Sequence, residues 1–267
     1  MNIIKINSKN AEYQIICSLK TNRVKRRKLQ ELFIEGIECI KQAVNSKAEI
    51  TRIIIKENDE LSNWGKDIIA GNKNAKVIYM SGELYSELAD KTNPSEMLVT
   101  VKMKHYKIED ISAGNPFLIV FDRPGDHGNL GSVIRCANAF NADGVFITGH
   151  GVDFYEPKVI RASLGSVFFT KIIQMESMEH LTEFIKVQKE KNNMLIIGTD
   201  SSGAATLGEY KIKRPVMLII GNEAKGMSVK LKEICDKIIS IPMNGNVNSL
   251  NVSNAASIMM WEIYKNC

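Results

Sequence analysis

Apolar residues fall into two rhythms along the chain. In the first hundred residues, short β-branched runs alternate with stretches of helical spacing. Phe33 and Ile34 form a short apolar stretch, and after Gly36 the residues Ile37, Ile40 and Val44 recur on one helical face. The run TRIIIKE (51–57) reads as a buried strand and 61–70 as a helix ending at Gly71. KVIYM (76–80) is a further strand, Ser81 suits the N-cap of a helix from about Glu83, and MLVTVKM (97–103) closes the set as a strand. This pattern predicts a small α/β sandwich over 1–105. A polar stretch with Gly and Pro, 106–116, reads as a linker.

From 117 onward the alternation is longer and more regular. Strands are expected over 117–121, 144–148, 168–173, 194–198, 216–220 and 238–241. Helices are expected over 130–141, 158–163, 178–189, 228–235 and 251–264. Apolar strands alternating with amphipathic helices imply a parallel sheet covered on both faces, here over 117–267. Ligands of such sheets lie beyond the carboxyl ends of the strands. The loops starting at Asp122, Gly149, Thr199, Gly221 and Pro242 are therefore the places to look for chemistry.

Three of these loops are informative. Asp122 to Phe140 runs from a strand through a Gly/Pro/Asp turn into a helix, with Asn129 as the expected N-cap and Arg135 projecting from mid-helix. An ordinary βα turn with a salt-bridged Arg is the plain alternative. Val216 to Ser228 is an apolar strand entering Gly221, Asn222 and Glu223, then Gly226. A phosphate-binding P-loop needs Gly-Lys-Ser/Thr, whereas Gly226 is followed by Met227 and Ser228. Glu223 reads either as a carboxylate beside a ligand or as an acid favouring a helix N-terminus. Ile239 to Ile263 carries a loop dense in Asn, Ser and Gly between Pro242 and the last helix, with Ser249, Leu250 and Asn251 at the helix entry.

Composition narrows the class. No apolar run reaches the roughly 18–20 residues of a membrane span, and the N-terminus has no basic-then-apolar signal pattern, so a cytoplasmic protein is expected. The five cysteines are odd in number, far apart and without a CxxC pair, which argues against a disulfide framework or a zinc site. No metal is expected. Cys136, beside Arg135, reads as a buried helix cysteine rather than a nucleophile. The net charge of +5 is mild, but Lys20, Arg23, Lys25, Arg26, Arg27 and Lys28 concentrate it. Such a cluster can neutralise phosphates, and equally can be a solvated helix face.

The order and spacing of the three loops resemble the three motifs of the SpoU/TrmH branch of the SPOUT methyltransferases. The resemblance is carried by Asn129-Leu130-Gly131 with Arg135 and Ala137, then by Gly221, Glu223 and Gly226. Ile241-Pro242-Met243, Gly245 and Ser249 through Ser253 complete it. EPKVIRASLGSVF (156–168) is similar to the family's middle stretch. Residues 1–105, chiefly LFIEGIECIKQAV (32–44), resemble the L30e-type RNA-binding domain of rRNA-modifying members. Asn141 stands where Gly is common in the family, and Asn254 where an apolar residue is common.

The resemblance implies an RNA 2′-O-ribose methyltransferase using S-adenosylmethionine, a SPOUT-type sheet with a trefoil knot, and a homodimer sharing its sites. It implies 23S rRNA as first substrate, with tRNA or an antibiotic-resistance site on rRNA next. It places Arg135 by the target ribose and Asn129, Glu223, Ser249 and Asn251 around it. The cofactor would lie against Thr199, Gly221, Ile241, Met243 and Leu250. Arg23, Lys25, Arg26, Arg27 and Lys28 would meet RNA. A dinucleotide-dependent dehydrogenase is disfavoured because no G-x-G-x-x-G follows an early strand. A non-enzymatic ribosome-associated RNA binder remains the rival of another class.

Overall fold

Twelve strands and ten helices are found among the described residues of the computed structural model, which are 2–90, 94–111 and 114–266. In chain order they begin β1 (Asn2–Ile6), α1 (Ala11–Thr21), α2 (Arg23–Leu29), β2 (Glu31–Glu35), α3 (Ile37–Asn45) and β3 (Ile50–Lys56). Next come α4 (Asn63–Gly71), β4 (Lys76–Met80), α5 (Gly82–Leu88) and β5 (Met97–Lys102). The remainder are β6 (Phe117–Phe121), α6 (His127–Ala139), β7 (Gly144–Ile147), α7 (Pro157–Ala162), β8 (Ile172–Gln174), α8 (Met178–Asn192), β9 (Leu195–Thr199), β10 (Ala205–Thr206), β11 (Val216–Ile220), α9 (Val229–Ile234), β12 (Lys237–Ser240) and α10 (Val252–Tyr264).

The first unit comprises Met1–Lys104 together with Tyr155–Phe168. Its five-stranded sheet has the order β1-β4-β3-β5-β2, parallel from β1 to β3 and antiparallel through β5 to β2. Ile16 and Leu19 of α1, with Leu84 and Leu88 of α5, cover one face of it. Residues 155–168, expected in the second domain, pack with this unit because their chemistry matches it. Val159 and Ile160 are buried, and Arg161 pairs with fully buried Glu35 (3.2 Å) and with Asp90 (2.7 Å). Gly165, at φ +79°, lies so close to Gln42 that a Cβ there would sit 2.7 Å from the Gln42 Cβ.

The second unit is His105–Phe154 with Phe169–Cys267. Its seven-stranded sheet has the order β10-β12-β9-β11-β6-β7-β8, and every pairing is parallel. All of β6 and β11 is buried, as strands covered on both faces must be. The core joins Leu118, Val120, Ile196, Met217 and Ile219 to Leu181 and Ile185 of α8. The stretch read as a linker is partly built in, since Tyr106, Ile108 and Ile111 pack against this core. The strand expected over 168–173 is shorter, Ile172–Gln174, because Ser166–Phe168 turns into a 3-10 helix. Asn141 takes φ +55°, the left-handed region where Gly is easiest and Asn is tolerated, which accounts for the one departure from family glycine.

Candidate active site

Parallel strands put their carboxyl ends on one edge. Phe121 pairs in register with Ile220, Ile219 with Gly198, and Thr199 with Ile239, so four loops leave that edge side by side. The first enters α6 three residues earlier than the sequence pattern suggests. Asp126, not Asn129, is the N-cap, accepting a hydrogen bond from the Asn129 N–H at 2.8 Å. This correction matters, because an N-cap side chain commits its oxygen to its own backbone. Asn129 instead has its amide free for other loops.

That amide is the middle of a relay. Asn251 Nδ2 donates to Asn129 Oδ1 at 3.0 Å, and Asn129 Nδ2 donates to Glu223 Oε1 at 3.2 Å. Glu223 also accepts from the backbone N–H groups of Gly125 (3.0 Å) and Asp126 (3.3 Å) and from Asn222 Nδ2 (3.3 Å). Four donors fill the roughly four acceptor positions of a carboxylate. Asn251 is at the same time the N-cap of α10, accepting from the Ser253 N–H at 2.9 Å. The relay therefore ties the three motif loops together through side chains.

Beneath it lies a buried hub. The Asp122 carboxylate accepts from Thr148 Oγ1 (2.6 Å), from Arg123 Nε and Nη2 (3.1 and 2.8 Å) and from the Ser228 N–H (2.8 Å). Burial by itself raises the pKa of this carboxyl, but the bonds from Arg123, Thr148 and Ser228 outweigh it and hold the group below the ordinary aspartate range. Arg123 reaches on to the Gly226 carbonyl at 3.2 Å. The 221–227 turn is closed by reciprocal backbone bonds between Asn222 and Gly226, and Asn222 Oδ1 accepts from the N–H groups of Ala224 and Lys225. A Cβ on Gly221 would lie 2.4 Å from the Met227 nitrogen. That glycine is required by the fold of the turn, a different reason from the close ligand approach that its place at the strand end suggests.

A cavity of about 280 Å³ opens beside the relay. Thr199, Gly221, Ile241, Met243 and Leu250, the five positions expected to hold a cofactor, all line it, as do Glu223 and Ser249. Thr199 Oγ1 is engaged with the Ile219 carbonyl at 3.3 Å. Asn129 and Asn251 stand in the relay. Arg135 is not brought to this cavity. Six residues past Asn129 it is rotated by about 120° around the helix, and its side chain is exposed, with no hydrogen bond or ion pair among the described residues. Cys136 is partly buried and meets Ser257 of α10 at 3.0 Å, as a packed helix cysteine does.

The basic cluster lies in the first unit, around α2. Arg26 is only 2% exposed, and its Nη1 donates to the Leu19 and Lys20 carbonyls at 3.1 and 3.2 Å. A guanidinium satisfying the last carbonyls of α1 is structural, so Arg26 leaves the RNA-contact set. Lys25, Arg27 and Lys28 are exposed, and Arg23 is half-buried. Sequence reasoning missed Asp122, Asn222 and Asp200 as site-building residues. The signal available was a polar residue directly after an apolar strand at the ligand edge, which all three display within two positions. Among the described residues no cluster of His, Cys, Asp and Glu is arranged to hold a metal, and no helix is long and apolar enough to cross a membrane.

Comparison with known proteins gives the family. The SpoU rRNA Methylase family matches residues 116–261, and the SpoU L30e-like domain matches 10–100. A 23S rRNA (uridine(2479)-2′-O)-methyltransferase of Streptomyces viridochromogenes is 32% identical over 261 residues, covering 97% of this chain and 91% of that protein. The crystal structure of the SpoU methyltransferase AviRb from the same organism, in complex with AdoMet, superposes with a TM-score of 0.88 at 31% identity, covering 96% and 97% of the two chains. An RNA 2′-O ribose methyltransferase structure matches with a TM-score of 0.82 at 26% identity over 98% of this chain and 99% of the other. The chain belongs to the SpoU rRNA methylase family, as an S-adenosylmethionine-dependent RNA (ribose-2′-O)-methyltransferase with an L30e-like domain ahead of its SPOUT fold.

Proposed function

We propose that this enzyme methylates a ribose 2′-hydroxyl of 23S rRNA, in the cytoplasm, as a homodimer whose two sites each draw on both subunits. The observation that carries the reading is the relay Asn251–Asn129–Glu223, which fuses the three motif loops at the rim of the cavity. The cavity suits S-adenosylmethionine on its own chemistry. Ile239, Ile241, Leu250 and Val252 offer apolar walls to a flat base, and the polar groups of Thr199, Asp200 and Ser249 stand at its border. The bound cofactor supplies an electrophilic methyl group on a sulfonium.

The protein's own residues then face one task, to present a poor nucleophile. Asn129 and Asn251 hold the nucleotide, with Glu223 fixing Asn129, and Ser249 adds a hydroxyl contact. Arg135 binds the neighbouring phosphate and orients the 2′-hydroxyl; a guanidinium is a fixed cation that gives a planar fork of donors, so positioning and electrostatics are its first role and proton removal its second. An exposed Arg135 fits a guanidinium that completes the partner's cavity. The surface beside it supports the same assembly. Ile258, Trp261 and Tyr264 recur along α10 at 39, 51 and 44% exposure, and Phe140 at the end of α6 stacks with Trp261 and Tyr264 at centroid distances of 5.9 and 5.8 Å. Such an exposed aromatic patch on two neighbouring helices suits a self-complementary, two-fold interface. The exposed cations Lys25, Arg27 and Lys28 of the L30e-like domain supply phosphate contacts to the RNA.

Transfer of a labelled methyl group to 23S rRNA, with tRNA in parallel, tests the substrate. Incorporation into tRNA alone would refute the rRNA assignment. Mixing subunits tests the shared site. Arg135→Ala and Leu250→Arg are each expected to be inactive, and their random mixture to regain roughly a quarter of wild-type turnover, because half the dimers then hold one intact site of two. No recovery on mixing would place the whole site within one chain.

A further inference from the structure

Two carboxylates border the cavity among the described residues, Glu223 and Asp200, and their surroundings differ. Glu223 has its acceptor positions filled by Gly125, Asp126, Asn129 and Asn222, so it clamps loops and has nothing left for a ligand. Asp200, the first residue after β9, accepts three bonds. Oδ1 takes the Ser202 N–H (3.1 Å) and the Ser202 hydroxyl (2.8 Å), and Oδ2 takes Lys232 Nζ (2.7 Å). One acceptor position on Oδ2 is left over.

The side from which these donors come is informative. Ser202 and Lys232 line a separate cavity of about 500 Å³ that Asp200 also borders, and neither lines the cofactor cavity. The carboxylate is thus gripped by residues of that second cavity, while Asp200 itself also borders the cofactor cavity. Lys232 already balances its charge, so a second cation is a poor partner there and a neutral hydroxyl donor is a good one. Asp200 also stays ionised throughout the neutral range, the Lys232 and Ser202 bonds pushing its pKa down to about 2.

We propose that Asp200 reads the ribose of the cofactor, its Oδ2 accepting a hydrogen bond from one of the two ribose hydroxyls of the adenosyl group. The assignment rests on the methyltransferase reading above and adds a recognition residue to it. It makes Lys232 and Ser202 positioning residues that aim the carboxylate.

Calorimetric titration of the full-length protein with S-adenosylhomocysteine and its 2′-deoxy and 3′-deoxy analogues tests it. Wild type is expected to bind one deoxy analogue about tenfold more weakly than the parent, the worth of a hydrogen bond to a charged group. Asp200→Ala is expected to bind the parent about tenfold more weakly and to lose the discrimination. A general loosening of the loop would weaken all three ligands alike and leave the discrimination intact, which overturns the proposal. Should Asp200→Ala not fold by circular dichroism, wild type still decides, since equal affinity for parent and both analogues refutes it, and Asp200→Asn, which keeps one acceptor oxygen without the charge, should discriminate less than wild type. Absence of any binding by wild type would instead overturn the cofactor reading of the cavity.

Discussion

Replacing Asp122 with Ala should remove more stability from the second unit than any other single change at the site. The hub feeds three structural ends at once: the end of β6, Thr148 at the end of β7, and Ser228 at the start of α9. Without the carboxylate, the buried Thr148 hydroxyl and the half-buried Ser228 N–H lose this acceptor, at about 2 and about 1 kcal/mol within the usual range for such a loss. Arg123, 36% exposed at its side chain, can turn to water, so its share is small. The sum is about 3 kcal/mol, which at roughly 2–4 °C per kcal/mol lowers the melting temperature by about 6–12 °C. Differential scanning calorimetry should show this in one transition, with the L30e-like domain melting as before. Thr148→Val should cost about 1 kcal/mol, and the Asp122→Ala/Thr148→Val double mutant should cost less than the sum of its parts. A loss under 1 kcal/mol for Asp122→Ala, or strict additivity in the cycle, would refute the hub.

Other expectations follow from the same geometry. Glu223→Ala frees Gly125, Asp126 and Asn129 together, so methyl transfer should fall at least a hundredfold while the melting temperature moves by only a few degrees, because the clamp is exposed; kinetics and calorimetry on one preparation separate the two. Arg26→Met should destabilise the first unit by about 1–3 kcal/mol in urea titrations, through the carbonyls of α1, whereas Lys25→Ala with Arg27→Ala should leave stability unchanged and lower the salt dependence of RNA binding by about two contacts' worth of slope. Trp261→Arg should yield monomers on sedimentation, without methyl transfer. The depressed carboxyls Asp122, Asp90 and Asp200 stabilise the fold fully above their unfolded pKa, near 3.9. That contribution is lost as pH falls through their folded values, about 2 for Asp200, so acid unfolding should steepen below about pH 4.

Much of the second unit can be read from its residues because the central strands β6 and β11 are apolar throughout and several helices are capped or bounded in a recognisable way. Ser228 and Asn251 sit as N-caps where the pattern places helix starts, and all five expected cofactor positions reach one cavity. The start of α6 is harder to read, since Pro124-Gly125-Asp126 has the composition of a turn and Asp126 and Asn129 are equally good caps. Side-chain chemistry at Arg26 is also hidden in the sequence. Among six neighbouring cations nothing local tells which one will be drawn beneath a helix end. Arg135 is a third kind of case. Its spacing from Asn129 is visible in the sequence, yet the helical period that carries it away from Asn129 becomes meaningful only when the cavity's location is known. The docking of α7 is the fourth, because helices of six residues carry too little periodicity to say which sheet they cover.

The capture of 155–168 by the first unit bears on how the nascent chain matures. Glu35 has its carboxylate fully buried and is synthesised more than a hundred residues before Arg161, the cation that pairs with it. When residues 1–104 leave the ribosome, that acid still lacks Arg161, and the surface that later receives Val159 and Ile160 is still open to water. The N-terminal module therefore reaches its final form only after β6, α6 and β7 have also emerged. Translation order and folding order diverge in this molecule, and a gene fragment ending at the apparent domain boundary encodes an incomplete module.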